Sequence, residues 1–165
     1  FNLEKLRQRK IPYLRRNIGV VFQDYRLLPR LTAAENVAFA MEVIEASRKT
    51  IKRRVAEVLE LVGLKDRMNA LPGQMSGGEQ QRVAIARAIV NNPAVIIADE
   101  PTGNLDPDTS WEIMKLLEEI HDRGTTVVMA THNKEIVNTL RKRVIAIEKG
   151  VIVRDEQRGE YGYED

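Results

Sequence analysis

Three short apolar runs in this chain each stop on polar residues. Ile18-Gly19-Val20-Val21-Phe22 runs into Gln23, Val95-Ile96-Ile97-Ala98 into Asp99-Glu100, and Thr125 to Ala130 into Thr131-His132. Runs of this length, rich in Val and Ile, predict buried strands. A fourth, Val144 to Glu148, is followed by Lys149-Gly150 and by Val151 to Val153, which predicts a closing hairpin. Between the strands the period becomes helical. Thr32-Ala33-Ala34-Glu35 is a capping box that opens a helix to about Ser47. A second helix covers about Thr50 to Val62, with Ile51, Val55, Val58, Leu59 and Val62 on one face and Gly63 just past its end. A helix follows Ser76 as far as about Asn91. Another follows the Asp106-Pro107 cap to Arg123 and is closed by Gly124. A short helix through Leu140 precedes the hairpin.

Apolar strands alternating with helices imply an α/β fold with a mainly parallel sheet covered on both faces. Ligands in such sheets bind at the carboxyl ends of the strands. Gln23, Asp99 with Glu100, and His132 all follow strand ends, so parallel strands would line them along one edge. Residues 25–75 carry helices and no strand. The expected organisation is therefore a sheet-containing core from 1–24 and 76–165, interrupted by a helical subdomain at 25–75.

Composition narrows the field without choosing a function. The chain has 165 residues, 43% apolar and 30% charged, which suits one globular domain. No apolar run approaches the roughly 20 residues of a membrane span, and the basic start has no apolar signal-peptide core. With no cysteine and two histidines, disulfides are excluded and a zinc site is disfavoured. A net charge of +2 gives no case for nucleic acid. The charge is uneven, however. Lys5 to Arg16 and Arg48 to Arg54 are basic, and the tail from Asp155 to Asp165 is acidic. The basic stretches read first as solvated helix faces, with a surface near anionic lipid as the sharper alternative.

Ser76-Gly77-Gly78-Glu79-Gln80-Gln81-Arg82 is the most informative stretch. Ser76 and Glu79 form a capping box, yet glycine at the first two helical positions costs about 1 kcal/mol each relative to alanine. Such glycines fit a place where something approaches the backbone closely, and exposed N–H groups at a helix start suit phosphate. The stretch resembles the signature motif of ABC ATPases, with Met75 in the usual Leu place. Val95 to Glu100 resembles that family's Walker B motif. Gln23 is similar to its Q-loop glutamine, Asn104-Leu105-Asp106 to its D-loop, and His132 to its switch histidine.

The resemblance implies a P-loop NTPase core of RecA type, incomplete here, with the family's inserted helical subdomain. It implies that Ser76, Gly77, Gly78, Glu79 and Asp106 contact ATP across a homodimer that encloses two nucleotides. It further implies that Asp99 and Gln23 hold Mg²⁺, that Glu100 is the general base, and that His132 and Gln23 assist it. The run from Asp99 to Asp106 is similar to a branch of cell-division, lipoprotein-release and macrolide-efflux ATPases. Val21 to Leu28, Arg143 to Glu148 and the ending Gly159-Glu160-Tyr161-Gly162-Tyr163 resemble its cell-division members. That likeness implies an ATPase on the inner face of a bacterial plasma membrane, with an integral membrane partner that controls peptidoglycan hydrolases.

One family element is missing from these residues: no Gly-Lys-Ser or Gly-Lys-Thr phosphate loop occurs. The resemblance therefore implies a preceding segment that carries this loop, and implies that the 165 residues by themselves are inactive. Two other readings stay open. One is the ATPase of a lipoprotein-release or efflux transporter; the other is a catalytically dead interaction module.

Overall fold

The computed structural model describes residues 3–162. Of the segments discussed above, Phe1 and the tail residues from Tyr163 onward lie outside them. The chain divides into two compact units, which part between Ala130 and Thr131.

The first unit is built on a three-stranded parallel sheet: β1 (Ile18–Val21), β2 (Val95–Asp99) and β3 (Thr126–Ala130), in that spatial order. The register sets Val21 beside Ala98, and Asp99 beside Ala130. Its helices are α1 (Ile11–Arg16), α2 (Ala33–Glu42), α3 (Arg48–Leu61), α4 (Gly77–Ile89) and α5 (Pro107–Asp122). Helix α4 packs on β1 and α5, and α5 reaches β3. Val21, Ile96 and Ala98 are buried, as are Val83, Ala84, Ile85, Ile113 and Leu117. Gly19 explains how closely α4 approaches β1. A Cβ there would lie 2.5 Å from the Ala88 carbonyl oxygen, so any side chain would force strand and helix apart.

The opposite row of the sheet, Val20, Ile97 and Val128, is 38%, 42% and 52% exposed. The expectation of a sheet covered on both faces is therefore not met among the described residues. Alternating apolar residues on both sides of a strand announce buried faces, but they do not say which segment supplies the cover.

Residues 25–75 contain α2, α3 and two short 3₁₀ turns, and no strand. Helix α2 packs against both α3 and α4. Its capping box forms as read from sequence: the Thr32 hydroxyl accepts from the Glu35 N–H, and the Glu35 carboxylate accepts from the Thr32 N–H. The helix stops at Glu42, earlier than expected, because Glu45 adopts φ +59° and the Ala46 N–H returns to the Met41 carbonyl. Ser47 then caps α3, accepting from the Thr50 N–H.

The second unit holds α6 (Lys134–Leu140) and the antiparallel pair β4 (Val144–Glu148) and β5 (Val151–Glu156). Lys149 and Gly150 both have positive φ, +48° and +82°, the geometry of a two-residue hairpin turn. Strand β5 continues past Val153 to Glu156, with an irregularity in β4 between Ala146 and Ile147. A two-pronged ion pair between Arg143 and Asp155, at 2.8 and 2.7 Å, fastens that longer end.

Candidate functional site

The carboxyl ends of β1 and β2 lie side by side, so Gln23 and the pair Asp99-Glu100 leave the sheet at the same edge. Glu100 turns sharply there. Its φ is +43°, a conformation that disfavours most side chains by about 1–2 kcal/mol. Two backbone hydrogen bonds hold the turn. The Glu100 N–H donates to the Ala130 carbonyl at 2.9 Å, and its own carbonyl accepts from the Gly103 N–H at 3.0 Å. The end of β3 thereby braces the residue that follows Asp99. His132 belongs to the second unit, between Thr131 and Asn133, the N-cap of α6.

Ser76 is the N-cap of α4, and the box with Glu79 is complete. The Ser76 hydroxyl accepts from the Glu79 N–H at 3.2 Å, and Glu79 accepts from the Ser76 N–H at 2.8 Å. Arg67 pairs with the Glu79 carboxylate at 3.0 Å and donates to the Gln74 carbonyl at 2.6 Å, tying the preceding loop to the helix start. The glycines at N1 and N2 do have close neighbours, and these are parts of the protein. A Cβ on Gly77 would sit 2.9 Å from the Tyr25 hydroxyl and 3.3 Å from Leu105. One on Gly78 would sit 2.5 Å from the Thr109 methyl. Gly78 is buried, whereas Ser76 is exposed. The glycines thus let the signature helix nest against the segment after β1 and the start of α5.

The Ser76 backbone hydrogen bond, then the Arg67 charge, hold the Glu79 carboxyl below its ordinary range. A depressed carboxylate contributes stability that is present above its unfolded value of about 4.3 and is lost as pH falls through the lower folded value. Glu79→Gln keeps the shape but not the titration. The melting temperature of wild type should therefore exceed that of Glu79→Gln at pH 7, and the gap should close below about pH 4. A gap that stays constant with pH would remove this role from the Glu79 charge.

Asp106 caps α5, accepting from the Thr109 N–H at 3.0 Å, and Thr109 holds its carboxyl below the ordinary range. Asn104, Arg87 and Asn36 join the arrangement through contacts that the sequence does not announce. Asn104 meets Gln23: its Nδ2 donates to the Gln23 carbonyl at 3.0 Å, and its Oδ1 accepts from Gln23 Nε2 at 3.3 Å. Tyr25 and Arg26 both have left-handed backbones, at φ +60° and +48°. Arg87, from the last turn of α4, donates to both of their carbonyls at 2.8 and 2.6 Å. Asn36, fully buried, fastens the next part of the same segment through Leu28, Leu31 and Thr32. A cation amid the apolar residues of α4 was the one hint of Arg87's role; Asn104 was legible as part of the D-loop resemblance, but nothing near it pointed to Gln23, and nothing near Thr109 pointed to Gly78.

A parallel sheet edge bearing Gln, Asp and Glu, set beside a glycine-started, capped helix, is the working edge of an ATP-binding cassette. The family model described as ABC transporter matches residues 1–103, and the chain belongs to that family. Within it, the chain is 68% identical over 165 residues to the cell division ATP-binding protein FtsE of Streptococcus pneumoniae serotype 2, covering all of this chain and 72% of that protein. It is 70% identical over 164 residues to FtsE of Bacillus subtilis, covering 99% and 72%. To FtsE of Mycobacterium tuberculosis it is 60% identical over 162 residues, covering 98% and 70%. Among solved structures it is similar to an ATP-binding cassette captured as a dimer in a post-hydrolysis state bound to ADP and Pi. That match has a TM-score of 0.77 and 39% identity, over 95% of this chain and 70% of the other.

Among the described residues, no three His, Cys, Asp or Glu side chains cluster as a self-sufficient metal site. Mg²⁺ prefers hard oxygen donors and is commonly held by one or two carboxylates together with substrate phosphates. Asp99, at the end of β2, and the Gln23 side-chain oxygen, just past the end of β1, are donors of this kind.

Proposed function

We propose that this protein is the ATP-binding and ATP-hydrolysing subunit of an FtsEX-type complex in bacterial cell division. In this reading hydrolysis drives a conformational signal to an integral membrane partner of FtsX type, which controls peptidoglycan hydrolases. The observation that carries the chemistry is the placement of Gln23, Asp99 and Glu100 on one sheet edge, braced by Ala130. The cell-division role is supported by the names of the relatives.

Two copies would face each other around two ATP molecules. Ser76, Gly77, Gly78 and Glu79 of one copy would meet the phosphates held by the other, with Asp106 at the interface. Asp99 and Gln23 would hold Mg²⁺, which neutralises developing charge on the phosphates when bound. Glu100 would take the proton of the attacking water, and His132 would assist at the γ-phosphate. Residues 25–75 would act as the helical subdomain that receives the partner. No helix among the described residues is long and apolar enough to cross a membrane. A peripheral position on the inner face of the plasma membrane, held by the partner, is consistent with that.

Cells of the source organism depleted of this protein test the reading. Wild-type protein should restore normal division, and Glu100→Gln, expressed to the same level, should not. Full rescue by Glu100→Gln would overturn hydrolysis as the working step. Normal division in depleted cells would overturn the cell-division role.

A further inference from the structure

We propose that Asn104 is a positioning residue for the reaction, holding the Gln23 side-chain amide with its nitrogen toward the Asp99–Asp106 loop and its oxygen free to accept; this rests on the reading of Gln23 given above. The orientation follows from hydrogen-bond logic. The Gln23 backbone carbonyl can only accept, so the Asn104 atom 3.0 Å away must be its NH₂ group. The other Asn104 atom is then the oxygen, which can only accept. The Gln23 atom facing it at 3.3 Å must therefore be Nε2. Oε1 is left as the outward acceptor, the atom a hard cation or a water proton would seek.

Gln23 is exposed, so nothing in the packing of its own strand would keep its amide from rotating. The close approach of the loop does that. A Cβ on Gly103 would lie 2.7 Å from Gln23 Nε2 and 3.2 Å from Cδ, so the absence of a side chain there makes room for the amide. Orientation fixed before the substrate arrives need not be acquired during the reaction. Asn104 and Gln23 lie on different strands' loops, so the same contact couples the end of β1 to the loop that follows the carboxylates.

Two substitutions in the full-length protein perturb the amide differently. Asn104→Ala removes both hydrogen bonds. Gly103→Ala leaves Asn104 intact but pushes the flexible end of Gln23 aside. Both should lower turnover about tenfold, the size expected for coupling between contacting residues. Both should also weaken Mn²⁺ binding to the protein–ATP complex, read by electron paramagnetic resonance, while the melting temperature stays within about 2 °C of wild type. In a Gln23→Ala background the Asn104→Ala change should have no further effect on either readout. If Gln23→Ala impairs both readouts and Asn104→Ala then costs as much in that background as in wild type, the positioning role is overturned. If Gln23→Ala impairs neither, the assignment of Gln23 to the metal falls, and this proposal with it.

Discussion

Glu100→Gln in the full-length protein is expected to retain ATP and to accumulate the closed dimer, while phosphate release falls by about 10²–10⁴-fold. Gln matches Glu in shape, so binding surfaces are kept, but it cannot take a proton from water. The strained turn at this position is held by backbone groups, the N–H to Ala130 and the carbonyl from Gly103, which the substitution leaves alone. The main loss is therefore expected in turnover, and a melting curve recorded alongside separates chemistry from folding. Steady-state phosphate release, with light scattering for the dimer, checks both halves. Turnover within about threefold of wild type would show that Glu100 is not the base.

The second large effect is expected at Gly78. Gly78→Ala would place a methyl 2.5 Å from Thr109 Cγ2, while Thr109 Cβ and Oγ1 are at an ordinary 3.9 and 4.0 Å. Either α4 retreats from α5 or Thr109 moves, and the latter disturbs the residue whose N–H caps onto Asp106. Overpacking of this kind destabilises by about 1–3 kcal/mol. A shift of about 1 Å in a positioning element can cost a hundredfold in rate. The clash has one cause, so it has a specific remedy. Thr109→Ser removes the offending methyl and keeps the hydroxyl. The double variant Gly78→Ala/Thr109→Ser should regain most of the stability, measured by urea denaturation, and at least about tenfold in turnover. A double variant as impaired as Gly78→Ala alone would assign the glycine to direct contact with nucleotide instead of to helix packing.

The two substitutions test different layers of the same site. In the proposed mechanism Glu100 acts through its carboxylate, whereas Gly78 acts through an atom it does not have. Between them lies the Gln23–Asn104 contact, whose weaker expected effect reflects exposed hydrogen bonds and not a buried clash. Arg87 belongs to the packing layer. Burial disfavours its charge, and its guanidinium nevertheless holds two left-handed carbonyls of the segment after Gln23.

What could be read from the sequence alone has a common physical origin: it is local. The capping boxes at Thr32–Glu35 and Ser76–Glu79 and the Asp106 cap close over three residues, so their hydrogen bonds form wherever a helix starts there. The strands ending at Val21, Asp99 and Ala130 were legible because apolar runs closed by polar residues look alike in any parallel sheet. The likeness to ABC ATPases came from the same local words. The bend that ends α2 at Glu42 was not legible, since Glu45 carries no residue-type cue for positive φ. Nor were the neighbours of the signature glycines. Glycine announces a close approach but not what approaches, and Tyr25, Leu105 and Thr109 arrive there only when β1, α4 and α5 are packed. Gln23 and Asn104 stand 81 residues apart, and parallel pairing of β1 with β2 is what brings their loops together. The sequence by itself thus determined the family and most of the elements, and it named the side chains proposed to do chemistry. Only the tertiary structure decided how those side chains are aimed, because that depends on contacts between segments whose separation along the chain carries no trace of their meeting.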